Sequence, residues 1–571
     1  MKENYFTRKI FYRFFMPSLF STFCLAVANL ADALCVGIRM GEPALAAISL
    51  VSPIYMVFNV MDIGIAVGGS VIYARRMGEG NAAGAQKAFS QMIFLALLLS
   101  GSVAVLGMVF LEPLLLILGA SPAQGAVYQM TKDYAVRLLL GAPTFFFHFL
   151  FYYFIRCDDG EKRASVGFAA ANLLDVGLSF VLVLFFNAGV KGAIWATIIG
   201  NVAGILICLP HFFQKSSMLR LKLEKPDRRE LASCYFTGFS TSSQYIWQFV
   251  FFLVLNNLLM RLHGESALAV FNVTLNLSYV VIGLYDGIGA AIQPMAATFY
   301  GERDREALSY TRGLAGKWGI VLGILMAAAV SLLAEKISLL FGLSAATVGM
   351  GVLAIRWYCA GSLFAGFSVV TEVYCQAVGK EKQVMKLAFL RSFLVYLVFG
   401  VLLAFGPLER FWMVFPLTEI VSLLLFRLSV ALEKKAAAAE QEKLPILHRT
   451  LQNGLEEVGE FLPEVEAFCE EQEASFDQTY FVTMTVEEMC LAILQHAGEE
   501  QLFIRITLFR LPDGQFELHI RDSGGAFDPF SLRTDDITED IDNIGILMVK
   551  KKAKEFFYRH YQGFNTLTVR V

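Results

Sequence analysis

Asp32 and Asp175 are carboxylates set in long apolar runs, and each has an asparagine three residues upstream, Asn29 and Asn172. On a helix that spacing places amide and carboxylate on one face. Such a pair can hold a proton through hydrogen bonds, or coordinate sodium through oxygen atoms alone. Burial moves a carboxylate's titration toward neutrality, the condition for loading and releasing a proton near physiological pH. An ionisable side chain within a membrane span costs roughly 3 kcal/mol or more, so Asp62, Asp286, Glu372 and Glu419, also in apolar runs, are candidates for the same work. For these four a structural bond is an equally simple reading.

The elements that must position these groups are membrane helices. The 571 residues are 56% hydrophobic and 17% charged, with a mean hydropathy of +0.57, which excludes an ordinary soluble chain. About twelve apolar runs reach the roughly 20 residues that cross a bilayer as helix, centred near 25, 58, 100, 144, 177, 203, 246, 282, 324, 364, 395 and 420. Backbone groups in lipid must be satisfied within the segment, so helices are expected rather than strands. The first run is too long for a cleavable signal peptide, lacks a small-residue cleavage site and carries Asp32, so it is expected to stay in the mature protein.

The net charge of −3 says little, but its distribution is informative. Lys2, Arg8, Lys9 and Arg13 precede the first run, Arg75, Arg76 and Lys87 follow the second, and Arg156, Lys162 and Arg163 follow the fourth. Basic clusters follow the sixth, eighth and tenth runs as well, while alternate loops hold little more than Arg39, Lys191, Arg261 and Arg410. The positive-inside rule then places both termini in the cytoplasm of a multi-pass protein of the cell membrane. Nine scattered cysteines without a CxxC pair indicate neither a disulfide framework nor a zinc site.

Gly41-Glu42-Pro43-Ala44-Leu45-Ala46 returns as Gly264-Glu265-Ser266-Ala267-Leu268-Ala269, and Gly78-Glu79 returns as Gly301-Glu302, both displaced by 223 residues. One register for two separated echoes points to duplication, the internal symmetry of a transporter built from two halves. The expected fold is an all-α polytopic membrane protein of about twelve transmembrane helices in two six-helix repeats, plus a small soluble α+β C-terminal domain. Residues 1–214 are read as the first bundle, 215–230 as a basic cytoplasmic connector, 231–432 as the second bundle, 433–443 as a charged spacer and 444–571 as the soluble domain. Within the last, helices are predicted over 477–496 and 544–554, strands over 502–511 and 515–521, and a closing hairpin over 556–571.

Several segments resemble the multidrug and toxic compound extrusion (MATE) transporters. They include N-L-A-D-A-L-C-V-G from Asn29, F-I-R-C-D-D-G-E-K-R-A from Phe154, G-V-K-G-A-I-W-A-T from Gly189, I-G-A-A-I-Q-P-M-A-A-T-F-Y-G-E-R-D from Ile288 and Y-C-Q-A-V-G-K from Tyr374. The resemblance implies two six-helix bundles around a central cavity, rocking between inward- and outward-open states, with efflux of organic compounds driven by sodium or proton entry. It places Asp32 on the carboxylate that the family uses in its first helix. In the fifth helix the family's Asn-x-x-x-Asp pattern falls on Asp175 and Ser179, so the usual aspartate position holds serine. Thr197 matches a polar position in the sixth helix.

The tail resembles the ATP-binding fold of histidine kinases, gyrase-type ATPases and anti-sigma-factor kinases through V-E-E-M-C-L-A-I-L-Q-H-A from Val486, R-D-S-G-G-A-F-D-P-F from Arg521 and N-I-G-I-L-M-V-K-K from Asn543. The resemblance implies that Asp522 holds the adenine amino group, Gly524 lets backbone approach the base, Glu488 assists the attacking group and Gly545 belongs to the nucleotide loop. The family's magnesium-ligating asparagine is Ala492 here, and a methyl group cannot bind a cation that demands oxygen. Asp542 and Asn543 stand where glycines usually precede Gly545.

The leading reading is a secondary active transporter rather than an enzyme: a sodium- or proton-coupled exporter of small organic compounds with an appended regulatory domain. It requires no cofactor, leaves ATP on the tail open, and has as partners the lipid bilayer and a cytoplasmic protein for the tail, with no nucleic acid. A membrane-anchored sensor with a kinase-like output and a lipid-linked flippase are the alternatives.

Overall fold

The computed structural model describes residues 4–40, 42–222, 224–341, 343–437, 445–452, 454–497, 502–531 and 544–571. Among them, twelve helices are long and apolar enough to cross a membrane: Tyr5–Ala31 (span 1), Ala47–Gly78 (span 2), Ala82–Val109 (span 3), Ala126–Arg156 (span 4), Glu161–Phe185 (span 5), Gly189–Phe213 (span 6), Arg228–Gly264 (span 7), Ser266–Gly301 (span 8), Arg305–Leu340 (span 9), Val348–Ala377 (span 10), Glu381–Ala404 (span 11) and Leu408–Glu433 (span 12). Each centre expected from the sequence falls inside one of them. The chain forms two compact units, one of Phe11–Gly301 and Leu308–Lys435, the other of Met1–Ile10, Glu302–Ala307 and Ala436–Val571.

In the larger unit glycines set the helix packing, because lipid supplies little hydrophobic drive between helices and close backbone contact must serve instead. Gly64 and Gly68 of span 2 face Gly238 of span 7: a Cβ on Gly68 would lie 2.0 Å from the Cys234 carbonyl oxygen, and one on Gly238 would lie 1.9 Å from the Gly64 carbonyl. The Gly301 counterpart of Gly78 makes the same kind of crossing, since a Cβ there would lie 2.1 Å from the Arg75 carbonyl oxygen. Asp158, from the basic motif after span 4, ties span 2 to the end of span 6: it accepts from Tyr73 Oη at 2.6 Å and from Ser217 Oγ at 2.7 Å, and lies 3.0 Å from His211 Nε2. The region read as a connector is held on span 3: Gln86 exchanges bonds with the backbone of Arg220 at 2.7 and 2.9 Å, and Gln91 bonds Lys225 and Asp227 at 2.9 Å each.

The smaller unit holds a five-stranded antiparallel sheet made by β1 (Ile446–Gln452), β2 (Phe503–Arg510), β3 (Phe516–Asp522), β4 (Glu555–Tyr561) and β5 (Phe564–Arg570), in the order β1-β2-β3-β5-β4. Helices α1 (Leu455–Glu471), α2 (Phe476–Ala497) and α3 (Ile544–Lys552) pack on one face. Strand alternation sends Ile504, Ile506, Leu508 and Ile520 into that core against Phe461, Val465, Val486 and Met489. The opposite face carries Arg505 and Arg521, which are direct cross-strand partners. Like charges so placed destabilise a sheet unless neutralised. The acids of Glu302–Ala307 meet them: Arg505 bonds Asp304 through Nε at 2.8 Å and Nη2 at 2.9 Å and reaches Glu306 at 3.0 Å, while Arg521 bonds Glu302 at 2.5 Å. Tyr5 stacks on Phe503 at 4.0 Å, so the N-terminal segment covers part of the same unit. Strand β1 and helix α1 were not among the predicted elements; the others lie within two residues of their expected bounds.

Candidate functional site

In the first bundle the Asp32 side chain lies outside the described residues. Asn29, read as its partner on the same helix face, is exposed on span 1. Asp175 is buried on span 5. It packs where span 6 approaches most closely: a Cβ on Gly200 would lie 3.4 Å from the Asp175 Cβ and 2.5 Å from the Ala171 carbonyl oxygen. Asn172 is buried too, but its Nδ2 donates to the Phe168 carbonyl at 2.7 Å, one turn back in its own helix. Thr197 likewise bonds its own helix, at the Ala193 carbonyl, 3.3 Å away. Ser179 is fully buried, its Oγ has no hydrogen-bond partner among the described residues, and the helix widens into a π segment at Phe180–Phe185 directly after it. Such widenings recur at functional sites because they turn side chains out of helical register.

The second bundle contains a cluster that the sequence reading did not assemble. Arg391 is buried within another π segment, Leu390–Leu394 of span 11. Its Nε bonds Glu419 Oε1 of span 12 at 2.7 Å, and its Nη1 lies 4.0 Å from Glu372 Oε2 of span 10. Ser368 Oγ donates to the second Glu419 oxygen at 3.0 Å. Glu372 is 5% exposed and its Oε1 has no hydrogen-bond partner among the described residues. One guanidinium thus faces two carboxylates in a low-dielectric interior, leaving one negative charge that a proton or small cation can neutralise. Glu372 and Glu419 were candidates from sequence, whereas Arg391 was lost inside an apolar run.

Asp62 and Asp286 occupy nearly matching places in the repeats but are not equivalent. The repeat register pairs Asp62 with Tyr285, and one residue turns a helix by about 100°. Accordingly Asp62 is 2% exposed, with its Oδ1 accepting from the Ile63 amide at 2.6 Å, while Asp286 is exposed.

In the tail, Asp522 is buried and accepts from the Gly524 amide at 2.9 Å and from Asn565 Nδ2 at 2.8 Å. Burial pushes its carboxyl up to about 6, against the opposing pull of those two donors. The recess beside it is lined by Ile493, His496, Phe527, Gly525 and Asn565. His496 and Phe527 stack at 4.1 Å and 13° beside it, which leaves the recess narrow. Gly545 lets Glu488 approach, for a Cβ there would fall 1.9 Å from the carboxylate carbon. Burial, with Glu487 adding to it, raises the Glu488 titration. Ala492 is buried at the magnesium position, and Asp542 and Asn543 lie outside the described residues. Among the described groups the oxygen that would hold magnesium in the family pattern is therefore missing, a methyl group standing in its place.

The MatE family model matches residues 17–181 and 241–402, and the model of the histidine kinase-like ATPase domain matches residues 451–571. The chain is 26% identical over 224 residues to the "Probable multidrug resistance protein YoeA" of Bacillus subtilis, covering 37% of this chain and 48% of that protein. It is 23% identical over 274 residues to the "Probable multidrug resistance protein NorM" of Photorhabdus laumondii, covering 47% and 59%. The matches thus span about half the length of these relatives. A solved structure described as the outward-facing conformation of a multidrug resistance MATE family transporter of the MOP superfamily shares the fold, with a TM-score of 0.70, 23% identity and coverage of 75% of this chain and 97% of that one.

Proposed function

The chain belongs to the MatE family, and we propose that it is a cation-coupled antiporter that exports small organic compounds by alternating access. The observation that carries this reading is the Arg391, Glu419 and Glu372 cluster, which buries two carboxylates with one cation. Sodium or a proton neutralises the excess charge in one state, and a cationic or polarisable substrate meets it in the other. Competition for one charge couples the two flows. Asp175 gives the first bundle a second buried acid, and Asp32 is assigned the same role there. The multidrug resistance names of the relatives support organic cargo, and the basic loops support cytoplasmic termini in the cell membrane.

The tail regulates transport by docking rather than by phosphoryl transfer. Support comes from the missing metal ligand at Ala492, from the recess narrowed by His496 and Phe527, and from Arg505 and Arg521, whose neutralising acids sit in Glu302–Ala307, the link between spans 8 and 9. A cytoplasmic protein able to offer acids to the same arginines would compete with that link.

Purified full-length protein in substrate-loaded liposomes tests the reading. Efflux driven by an imposed sodium or proton gradient, and abolished by Glu372→Gln, which leaves the Arg391 and Glu419 pair in place, is expected. Efflux indifferent to both gradients would overturn it.

A further inference from the structure

Spans 9, 10 and 12 enclose a cleft of about 670 Å³ whose walls include Ile320, Val321, Phe367 and Leu423. Three cations, Arg312, Lys317 and Arg427, also line it, and no lining residue is acidic. Among the described residues none of the three has a carboxylate within ion-pair distance, although the Arg312 guanidinium lies over the Tyr374 ring at 5.3 Å. The space over Gly313 and Gly316 is open, since a Cβ on either would meet nothing within 4 Å.

Depth narrows what can occupy it. Arg312 lies seven residues into span 9, and Arg427 six residues before the end of span 12. At 1.5 Å per residue both sit about 10 Å inside the helix ends, close to the level of lipid phosphates. Lys317 is about 8 Å deeper on span 9, and its long stem lets the ammonium reach back toward that level. Cations without acids at headgroup depth, above an apolar slot, complement a molecule that is anionic at one end and apolar along the rest. A soluble anion would leave the slot unfilled, and a neutral lipid would leave the cations unpaired.

We propose that this cleft is a binding site for one anionic phospholipid, its phosphodiester held by Arg312, Lys317 and Arg427 and an acyl chain lying between Ile320 and Phe367. The site is separate from the buried Arg391 cluster and does not depend on the transport reading. A lipid wedged among spans 9, 10 and 12 would stiffen the second bundle.

The test uses full-length protein in mild detergent, with native mass spectrometry counting retained dioleoylphosphatidylglycerol or dioleoylphosphatidylcholine. Each cation favours an anionic lipid by about fivefold, so dioleoylphosphatidylglycerol is expected to be preferred over dioleoylphosphatidylcholine by roughly a hundredfold. Combined R312Q, K317Q and R427Q should remove the preference while leaving the melting temperature close to wild type without lipid, because all three side chains are exposed. Gly316→Leu keeps the charges and fills the slot, and should lose retention as well. Equal retention of both lipids, unchanged retention in the triple variant, full retention in Gly316→Leu or displacement by millimolar inorganic phosphate would each overturn the proposal.

Discussion

Gln293 Nε2 lies 3.4 Å from Ser70 Oγ, and the two residues are 223 positions apart, the displacement of the sequence repeat. Each is therefore the counterpart of the other, and equivalent points meet only on the axis that relates two halves. Spans 2 and 8 form the seam, with Arg156 adding a bond to Ser18 Oγ at 2.7 Å and another to the Ala290 carbonyl. If the halves rock about this seam, joining them should stop the cycle. In a background lacking the nine native cysteines, S70C with Q293C bridged by a short bifunctional thiol reagent should lose efflux, and reductive cleavage of the bridge should restore it. Undiminished efflux in fully bridged protein would show that the seam does not open.

Arg391 lies between two acids, so its removal is expected to leave both uncompensated. Arg391→Gln should cost about 3–5 kcal/mol of stability and lower the melting temperature of the full-length protein. Glu372→Gln or Glu419→Gln in the same chain should recover part of the loss. Additive losses in the double variants would show that Arg391 does not neutralise these two acids.

Asp175 is buried at the tightest approach of spans 5 and 6, and Asp175→Asn preserves its shape. It should reduce gradient-driven efflux at least tenfold with little change in melting temperature, and Asp32→Asn should do the same. Wild-type efflux by Asp175→Asn under both gradients would make the residue structural.

Much of the membrane fold was legible because a bilayer demands long apolar helices and writes them plainly. The cluster around Arg391 was not. Its partners lie 19 and 28 residues away on other spans, and only the π segment at Leu390–Leu394 turns the guanidinium toward both. In the tail, β1 carries His448, Arg449 and Thr450, which hides an edge strand, and Pro463 inside α1 reads as a breaker. The link Glu-Arg-Asp-Arg-Glu from Glu302 was read for its arginines as a basic loop; its acids make the buried pairs. Sequence placed Ala492 on its helix and ended the strand one residue short of Asp522, but could not show His496 lying on Phe527.

That stack predicts that restoring the metal ligand alone fails. Neither wild type nor Ala492→Asn should bind magnesium-ATP measurably by calorimetry, whereas Ala492→Asn with His496→Ala should gain affinity. Nucleotide turnover by the wild-type protein, abolished by Asp522→Ala, would instead establish an active site.

The raised Asp522 carboxyl has a pH consequence. A native pKa of about 6, against an ordinary value of 3.8, means that the folded tail binds the proton more tightly than the unfolded one. Its contribution to stability is fully present below about 4, falls as pH rises to about 6 and is flat above, a change of roughly 3 kcal/mol. Asp522→Asn should remove that slope and protect β3 amides from hydrogen exchange at pH 7. An unchanged slope would assign the titration to another group.

The interlock of Arg505 and Arg521 with Asp304, Glu306 and Glu302 gives the most direct handle on the tail. Arg505 and Asp304 are 4% and 6% exposed, so a charge left alone there has no water to compensate it. Breaking the pair by Arg505→Ala should therefore cost about 3–5 kcal/mol locally, seen as faster hydrogen exchange in β2 and β3. Arg505→Asp should be worse, because it adds a third acid to Asp304 and Glu306. Combining it with Asp304→Arg returns opposite charges to the same two positions and should recover much of the protection. If docking regulates transport, efflux rate should follow the same order, and truncation after Lys443 should resemble Arg505→Asp. Efflux that is identical across wild type, Arg505→Asp, the charge-swapped chain and the truncation, despite altered exchange, would leave the tail as a passenger on the transporter.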